Sequence, residues 1–364
     1  MPAAIAIHPA RPDEARALLA LTEAVNAASP YTLHAAGERP SWHAGANPAE
    51  DLAAFLAPGL NVVLVAAVDG RPAGALIATG GRFQRNCGVA TVALGVLPRQ
   101  QGRGAGTRLL AEAEAWARSR GLHRLELTVA APNRRAHALY RRLGYRDEGR
   151  LRESLCFGGT FCDEIVMAKD LGPTEVPEWG PLLLDSLPAA ELAGLTVREA
   201  QTGDAAAYTA YDQAVRRETP FLLRTADEGL TTVIAARRFL AGQGLDPQRT
   251  TIVAAVGAAV GAELAGTVSV WFGGSQRTAH EASLGMAVRQ EYWASGVGKR
   301  LMAAAEAWAR GRGAHRLSLW VLGPNLRARR FYAACGFQEE AVCRRYALID
   351  GRFADHVAMG KILG

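Results

Sequence analysis

The chain has 364 residues, of which 49% are hydrophobic and 21% are charged. This length suits two domains of about 100 to 200 residues each, and the composition excludes disordered and fibrous proteins. Only three of the 41 basic residues are lysine, and the arginines are spread along the chain, which disfavours a nucleic-acid-binding arm. The net charge of +6 is open to two interpretations, attraction for anionic small molecules or compositional bias alone.

The five cysteines are odd in number and include no Cys-x-x-Cys pair. This pattern disfavours a disulfide framework and a zinc site, so we expect no metal and a reducing, cytoplasmic compartment. The N-terminus has no basic stretch followed by an apolar block, so no secretory signal is expected. The apolar run 251–272 contains Glu263, glycines and β-branched ends, which favour two strands around a turn over a membrane helix.

The first half of the chain alternates helical and strand patterns. In chain order the predicted elements are a helix over 12–27, a helix over 48–56, strands over 61–68, 73–79 and 89–97, a helix over 106–120, a strand over 125–129, a helix over 133–143, and a hairpin of strands 150–157 and 162–168. Strands interleaved with helices predict an α/β or α+β layer fold, with a mixed central sheet flanked by about four helices.

The second half of the chain repeats the first. The segment beginning at Ala111 recurs at Ala303, a shift of 192 residues that holds without a gap over 96–171, where 33 of 76 pairs are identical. Shared helical amphipathicity alone would not keep this register, so the chain contains two copies of one domain. We predict an N-terminal domain over 1–172 (the first unit), a proline-rich linker over 173–192 and a C-terminal domain over 193–364 (the second unit).

A glycine-rich loop over 101–106 lies between a predicted strand and a predicted helix. Successive backbone N–H groups and the helix N-terminus converge there, so an anion such as phosphate could bind. The loop is not a Walker motif, because no Gly-Lys-Ser/Thr follows, and it lacks the third glycine of a dinucleotide fingerprint. Taken alone, it is equally open to interpretation as a tight turn.

The order of strand, Gln101-x-x-Gly104-x-Gly106 and helix, followed by Asn133 and by Tyr140 with a Leu-Gly-Tyr turn, resembles the GNAT acetyltransferase superfamily. The resemblance covers nearly the whole of each unit. It implies that acetyl-CoA is the co-substrate, that the loop amides hold its pyrophosphate, and that the preceding strand contacts its pantetheine arm. The coenzyme-binding residues that it implies in the first unit are Leu94, Val96, Gln101, Gly102, Arg103, Gly104, Ala105, Gly106 and Asn133.

The second unit resembles the family at the equivalent positions. The coenzyme-binding residues that it implies are Met286, Val288, Trp293, Ser295, Gly296, Val297, Gly298 and Asn325. The unit departs from the pattern where Trp293 replaces Gln101 and Ser295 replaces Arg103, which removes a charge partner for phosphate. Because the phosphate contacts are mainly backbone, we expect acyl-CoA in both units.

The resemblance also implies that Tyr140 and Tyr332 stand near the acetyl sulfur and protonate the departing thiolate. Spacing alone would favour a core aromatic on an amphipathic helix. Asn133 is likewise open to interpretation as a plain helix N-cap.

The attacking amine is mostly protonated at neutral pH, so a carboxylate or histidine should accept a proton before attack. In the first unit Glu126, on the strand face opposite the leucines, is the leading candidate. The second unit has a serine at this position, so Glu281 or His280 is considered there instead. Each of these residues could also be a solvated strand residue. His123 and His315 repeat identically and are expected to cap or pack.

We therefore expect an N-acetyltransferase that transfers acetyl directly from acetyl-CoA to an amine of a small molecule or peptide, without a metal or covalent intermediate. The alternative is that one or both units bind acyl-CoA as sensors or structural modules. No nucleic-acid or membrane partner is expected. The resemblance implies that the acceptor pocket is formed by 31–56 and 221–245 together with the C-terminal hairpins, which differ between the units, so different acceptors are possible. The chain is expected to be a monomer with pseudo-dimeric domains or a homodimer.

Overall fold

The computed structural model of the chain describes residues 5–40, 42–43, 45–172, 176–182 and 194–364. The elements of the first unit are β1 (Ile5–Pro9), α1 (Ala15–Ala28), α2 (Pro48–Leu56), β2 (Asn61–Val68), β3 (Arg71–Gly80), β4 (Val89–Val96), α3 (Ala105–Ser119), β5 (Arg124–Ala130), α4 (Arg134–Arg142), β6 (Arg146–Phe157) and β7 (Thr160–Asp170). The elements of the second unit are β8 (Leu195–Glu199), α5 (Ala205–Glu218), α6 (Val233–Leu245), β9 (Arg249–Val256), β10 (Glu263–Phe272), β11 (Glu281–Val288), α7 (Val297–Arg310), β12 (Arg316–Leu322), α8 (Leu326–Ala334), β13 (Gln338–Ile349) and β14 (Arg352–Ile362).

The strands of the described residues form one sheet, in the order β1-β2-β3-β4-β5-β7-β6-β13-β14-β12-β11-β10-β9-β8. This order is unchanged when it is reversed and each strand is exchanged for its repeat partner, so a pseudo-two-fold axis relates the units where β6 meets β13. Neighbouring strands are antiparallel except for the parallel pairs β4–β5 and β11–β12. The mixed sheet, with four described α-helices in each unit, confirms the predicted fold class.

The two units join at the pairing of Gly149 on β6 with Ala341 on β13. A Cβ atom on Gly149 would lie 2.2 Å from the Cα of Ala341. The close approach of the two backbones therefore requires glycine at this position.

A buried arginine of each unit crosses the junction. Arg124 donates to both carboxylate oxygens of Glu148 and to a backbone carbonyl of the second unit. Arg316 makes the same contacts with Glu340 and with a backbone carbonyl of the first unit. A buried charge is tolerated only when it is paired and hydrogen-bonded, so these contacts hold the two units in one arrangement.

The repeated histidines also lie at this junction. His123 Nε2 lies 2.8 Å from a carbonyl oxygen of the second unit, and its ring packs on Phe353. His315 Nε2 lies 2.5 Å from the Glu153 carboxylate of the first unit, and its ring stacks on Phe161. Both histidines therefore pack between the units, and the pseudo-symmetry of the contact accounts for their repetition.

The side chains of strand β5 alternate between the two faces of the sheet in the first unit. Side chains alternate along a strand, so Leu125, Leu127 and Val129 point into the core beneath α3 and α4. Glu126 and Thr128 point to the other side of the sheet, as predicted for Glu126.

A gap opens between β4 and β5. The two strands pair only from Val89, opposite Arg124, to Thr91, opposite Glu126. Beyond these residues β4 continues against β3, and β5 continues against β7. The equivalent strands β11 and β12 also pair over only three residues, so each unit contains such a gap.

Two further predictions concern the apolar run 251–272 and the linker. The run 251–272 forms β9 and β10, as predicted, and no helix among the described residues is long and apolar enough to cross a membrane. Of the predicted linker, Pro173 and Pro188 lie outside the described residues. Its described piece, 176–182, lies along the second unit, where the Trp179 amide donates to the Phe353 carbonyl at 2.7 Å.

Candidate active site

A cavity of about 1170 Å³ occupies the gap between β4 and β5 of the first unit. It extends from the glycine loop to the β6–β7 hairpin and reaches the second unit. Every residue predicted for the site of the first unit lines it except Arg103, which is exposed. Its functional lining comprises Leu94, Val96, Gln101, Gly102, Gly104, Ala105, Gly106, Glu126, Thr128, Asn133, Arg135, Tyr140, Glu164, Leu223 and Tyr346.

The glycine loop presents free backbone donors to the cavity. Gly104, with φ +91°, is the residue directly before α3, and Gly102 has φ +80°, so both adopt the left-handed conformation that favours glycine. The first N–H groups of α3 have no partner within the helix and are available to an anion. A Cβ atom on Gly106 would lie 3.2 Å from Leu139, so glycine there lets α3 and α4 approach closely.

A side chain anchors the loop in each unit. Gln101 donates to the Val96 carbonyl at 2.9 Å and accepts a hydrogen bond from Arg135 at 2.9 Å. Trp293 occupies the equivalent position in the second unit, and its indole N–H donates to the Val288 carbonyl at 2.8 Å. The substitution of glutamine by tryptophan therefore keeps the anchor to the strand.

Asn133 and Asn325 begin the helices that follow β5 and β12. Each side-chain oxygen accepts a hydrogen bond from a backbone amide three residues on, at 3.2 Å in the first unit and 3.1 Å in the second. Both asparagines are thus N-caps. Asn133 also lines the cavity.

Tyr140 and Tyr332 are buried on the helices that follow these caps, with 7% and 6% of their surface exposed. The Tyr140 ring packs 5.9 Å from that of Tyr145, and the side chain lines the cavity. Burial raises the pKa of Tyr140 to about 12 and also raises the pKa of Tyr332. Like any tyrosine, both phenols are protonated at neutral pH, and they can act as hydrogen-bond donors.

Glu126 lies where β4 and β5 begin to diverge. Arg124 lies 3.2 Å from its carboxylate, and the Thr91 hydroxyl donates to it at 3.3 Å. Burial raises the pKa of Glu126, although the charge of Arg124 opposes this effect. The carboxylate is a stronger proton acceptor than an exposed glutamate, and it faces the cavity.

Thr128, Glu164 and Tyr346 also line the cavity and were not predicted individually. Thr128 lies two residues after Glu126 on the same strand face, and its hydroxyl donates to Glu164 at 2.7 Å. Burial raises the pKa of Glu164, while the hydrogen bonds from Thr128 and Ser154 lower it. The strand alternation could have indicated Thr128, whereas Glu164 and Tyr346 depend on pairing between distant segments.

The equivalent region of the second unit has different side chains. The residues that correspond to Glu126, Thr128 and Glu164 are Ser318, Trp320 and His356. The Trp320 ring lies 5.0 Å from that of His356. A cavity of about 190 Å³ lies beside Ser318 and Trp320.

The two base candidates of the second unit have partners in the structure. Glu281 lies 3.3 Å from the buried Arg316, whose main partner is Glu340, and it lines the small cavity. His280 Nε2 lies 2.7 Å from the Glu153 carbonyl of the first unit. Glu281 is therefore the second acidic partner of a buried arginine, and His280 forms part of the junction.

Within the described ranges, no group of three or more histidine, cysteine or acidic side chains is arranged to hold a metal ion. In each half, a helix preceded by a left-handed glycine lies beside two diverging strands. The sequence model of the acetyltransferase (GNAT) family matches residues 26–145 and 190–337. The chain belongs to this family.

Solved structures of this family resemble parts of the chain, whereas no curated protein matches its sequence. A GNAT-family acetyltransferase from Streptococcus pneumoniae is 31% identical, with TM-score 0.43, over 46% of this chain and 99% of that one. A ribosomal-protein-alanine N-acetyltransferase from Brucella melitensis is 26% identical, with TM-score 0.38, over the same shares. A phosphinothricin acetyltransferase from Sinorhizobium meliloti, in complex with acetyl-CoA, is 20% identical, with TM-score 0.39, over 47% and 94%.

Proposed function

We propose that the first unit transfers an acetyl group from acetyl-CoA to an amine of a small molecule or peptide. The observation that carries the proposal is the single cavity that joins the glycine loop, Tyr140 and Glu126. Membership of the GNAT family supports acetyl-CoA as the donor. The boundaries of the two domains, at 1–172 and 193–364, are part of this proposal.

The chain offers a fitting cradle for the coenzyme. The free amides at the start of α3 bind the pyrophosphate, and Arg135, which lines the cavity beside the loop, adds a positive charge. In the gap between β4 and β5, the backbone of Leu94 and Val96 contacts the pantetheine arm along the edge of β4 that does not pair with β5. Acetyl-CoA supplies the activated thioester carbonyl.

Glu126 acts as the proton acceptor. The amine arrives largely as an ammonium ion, and its loss of a proton to Glu126 frees the nitrogen lone pair for attack. A bond then forms between the nitrogen and the acetyl carbon, while the carbon–sulfur bond breaks and its electron pair leaves with sulfur. The overall change converts one ammonium ion and acetyl-CoA into an amide, the CoA thiol and one released proton.

Tyr140 stabilises the leaving group. Its phenol is buried and protonated at neutral pH, and burial raises its pKa to about 12. The hydroxyl donates a hydrogen bond toward the departing sulfur, in a site from which water is partly excluded and such a bond is stronger.

For the second unit we propose acyl-CoA binding without efficient transfer. The loop geometry, Trp293, Asn325 and Tyr332 keep the coenzyme half of the site. The position of Glu126 is occupied by Ser318, and the small neighbouring cavity is lined by Trp320. This unit has the coenzyme cradle but lacks the carboxylate that accepts the proton in the first unit.

We also propose that the protein works in a reducing, cytoplasmic setting as a monomer whose two units form an internal pseudo-dimer. All five cysteines are free thiols, which supports a compartment without disulfide formation. The buried ion pairs at the junction support a fixed arrangement of the two units.

Release of free CoA from acetyl-CoA tests the function, with a panel of amines, polyamines, amino acids, aminoglycosides and peptides. The matched variants are Tyr140→Phe and Tyr332→Phe. We expect amine-dependent release that falls by about 10² or more in Tyr140→Phe and changes little in Tyr332→Phe. If acetyl-CoA binds and no amine stimulates release, the enzyme proposal is wrong. A larger loss in Tyr332→Phe would assign catalysis to the second unit.

A further inference from the structure

The second unit supplies part of the wall of the first unit's cavity. Tyr346 on β13 and Leu223, in the segment between α5 and α6, line it together with Glu126 and Glu164. The acceptor end of the cavity is thus a composite of both units. The residue that corresponds to Tyr346 in the first unit is Ser154, so the second unit receives no matching ring in return.

The Tyr346 ring is held in place by contacts on two sides. It stacks on His356 with a centroid distance of 4.5 Å and an interplanar angle of 25°, and Trp320 packs against the same histidine. Asn86 of the first unit donates to the Tyr346 hydroxyl at 3.2 Å. His356 covers one face of the ring, and the Tyr346 side chain also packs against the apolar clusters that contain Phe221 and Cys343. Part of the side chain lines the cavity.

The loop between β3 and β4, which carries Phe83 into the cavity wall, is held by the second unit. The Arg85 guanidinium donates to the carbonyls of Pro220, at 2.7 Å, and Leu222. The Gln84 amide donates to the Glu228 carboxylate at 2.8 Å. These contacts fix the position of the acceptor end relative to Tyr346.

The carboxylates of Glu126 and Glu164 line the cavity together with Tyr346. Burial raises the pKa of Tyr346 to about 12; the charge of Glu126 adds to the increase, and Arg124, which is paired with Glu126 and Glu148, opposes it. Burial lowers the pKa of His356 to about 3, so the imidazole behind the ring is neutral and does not repel a bound cation. A tyrosine face next to a carboxylate is a favourable environment for an organic ammonium group.

We propose that Tyr346 of the second unit is a specificity-determining residue of the first unit's acceptor pocket, and that the pocket takes an organic ammonium ion between this ring and Glu126. The inference rests on the acetyl transfer proposed above. It gives the second unit a role in substrate choice as well as in coenzyme binding.

Tetramethylammonium is a suitable probe, because it carries the charge, donates no N–H hydrogen bond and cannot be acetylated. Its binding to the full chain with CoA is measured by titration calorimetry in wild type, Tyr346→Phe and Tyr346→Ala, with tert-butanol as a neutral ligand of similar size. The matched control is Leu348→Ala, an exposed position on the same strand. We expect binding to be kept in Tyr346→Phe and Leu348→Ala and weakened about 10-fold in Tyr346→Ala.

Kinetics provide the second readout. In Tyr346→Ala the KM for the best acceptor amine should rise about 10-fold while the KM for acetyl-CoA stays unchanged, a separation that general destabilisation would not produce. Should Tyr346→Ala fail to fold, Tyr346→Leu replaces it.

Three results would overturn the inference: tetramethylammonium fails to bind the wild type, tert-butanol binds as well as the cation, or Leu348→Ala loses as much binding as Tyr346→Ala. Tyr346-dependent binding without acetylation of any amine would instead refute only the proposed transfer.

Discussion

The two units agree at the proposed coenzyme end, which comprises the glycine loop and the asparagine cap, and differ at the proposed acceptor end. Gly104 and Gly296 have φ values of +91° and +92°, and both asparagine caps are kept. At the acceptor end, the polar group of Thr128, Ser154 and Glu164 corresponds to the aromatic group of Trp320, Tyr346 and His356. Coenzyme contacts that are mainly backbone tolerate side-chain change, whereas proton transfer requires a particular carboxylate.

The buried arginines show how the difference is accommodated. Arg124 has Glu126 as its second acidic partner, whereas Arg316 has Glu281, which extends from the neighbouring strand. Each arginine therefore has two acidic partners. Only in the first unit does the second of these carboxylates, that of Glu126, line the large cavity. The following predictions test how far this comparison holds.

The largest expected effect is on stability. Arg124→Met and Arg316→Met should each lower the free energy of unfolding by about 3–5 kcal/mol, because each removes a buried cation that pairs with two carboxylates, although Glu340 keeps Arg152 as a partner. Urea denaturation measures both. As a control, Arg316→Met combined with Glu281→Gln and Glu340→Gln should recover part of the loss. A cost below about 1 kcal/mol for either single variant would mean that the junction does not depend on these ion pairs.

The second effect is on catalysis. Glu126→Gln should lower kcat about 10²–10³-fold, because the amine loses its proton acceptor. Burial raises the pKa of Glu126, so the wild-type rate should fall as the pH drops through that raised value, and the variant should lose this dependence. The pH profile of kcat measures both changes. Glu281→Gln is the matched variant, and an equal loss there would show that the second unit is catalytic.

The fold and the coenzyme end could be predicted from the sequence because their signals are local. Hydrophobic periodicity defined the strands and helices, and the loop 101–106 is continuous in the chain. Asn133 and Tyr140 follow at fixed spacing on a single helix, so α4 alone places them on the same cavity.

The C-terminal hairpins were expected to form part of the acceptor pocket, but its individual residues could not be predicted because they meet only through long-range pairing. Glu164 reaches Thr128 across the β5–β7 register, and Tyr346 arrives from the other unit, 260 residues beyond Asn86. The pairing of Glu281 with Arg316 could not be predicted from the sequence either, because it depends on the three parallel residue pairs between β11 and β12. The repeat nevertheless gave one indication of the acceptor end, because its residues are among the positions that differ between the two units.

A smaller effect concerns the loop anchor. Gln101→Ala removes a hydrogen bond to the Val96 carbonyl and should raise the KM for acetyl-CoA by about 2- to 10-fold. Gln101→Trp should be nearly neutral, because Trp293 makes the same bond in the second unit. Steady-state kinetics at saturating amine measure the difference. If tryptophan were as harmful as alanine, the two anchors would not be equivalent.

The smallest effect concerns one residue of the second loop. Ala294 has φ +64°, in the left-handed region, where its counterpart Gly102 has φ +80°. Ala294→Gly should relieve this strain and raise the free energy of unfolding by about 1 kcal/mol, whereas Gly102→Ala should lower it by a similar amount. Urea denaturation of both variants compares the loops directly. If Ala294→Gly is destabilising, the entropy that glycine adds to the unfolded chain outweighs the strain of alanine in the left-handed conformation.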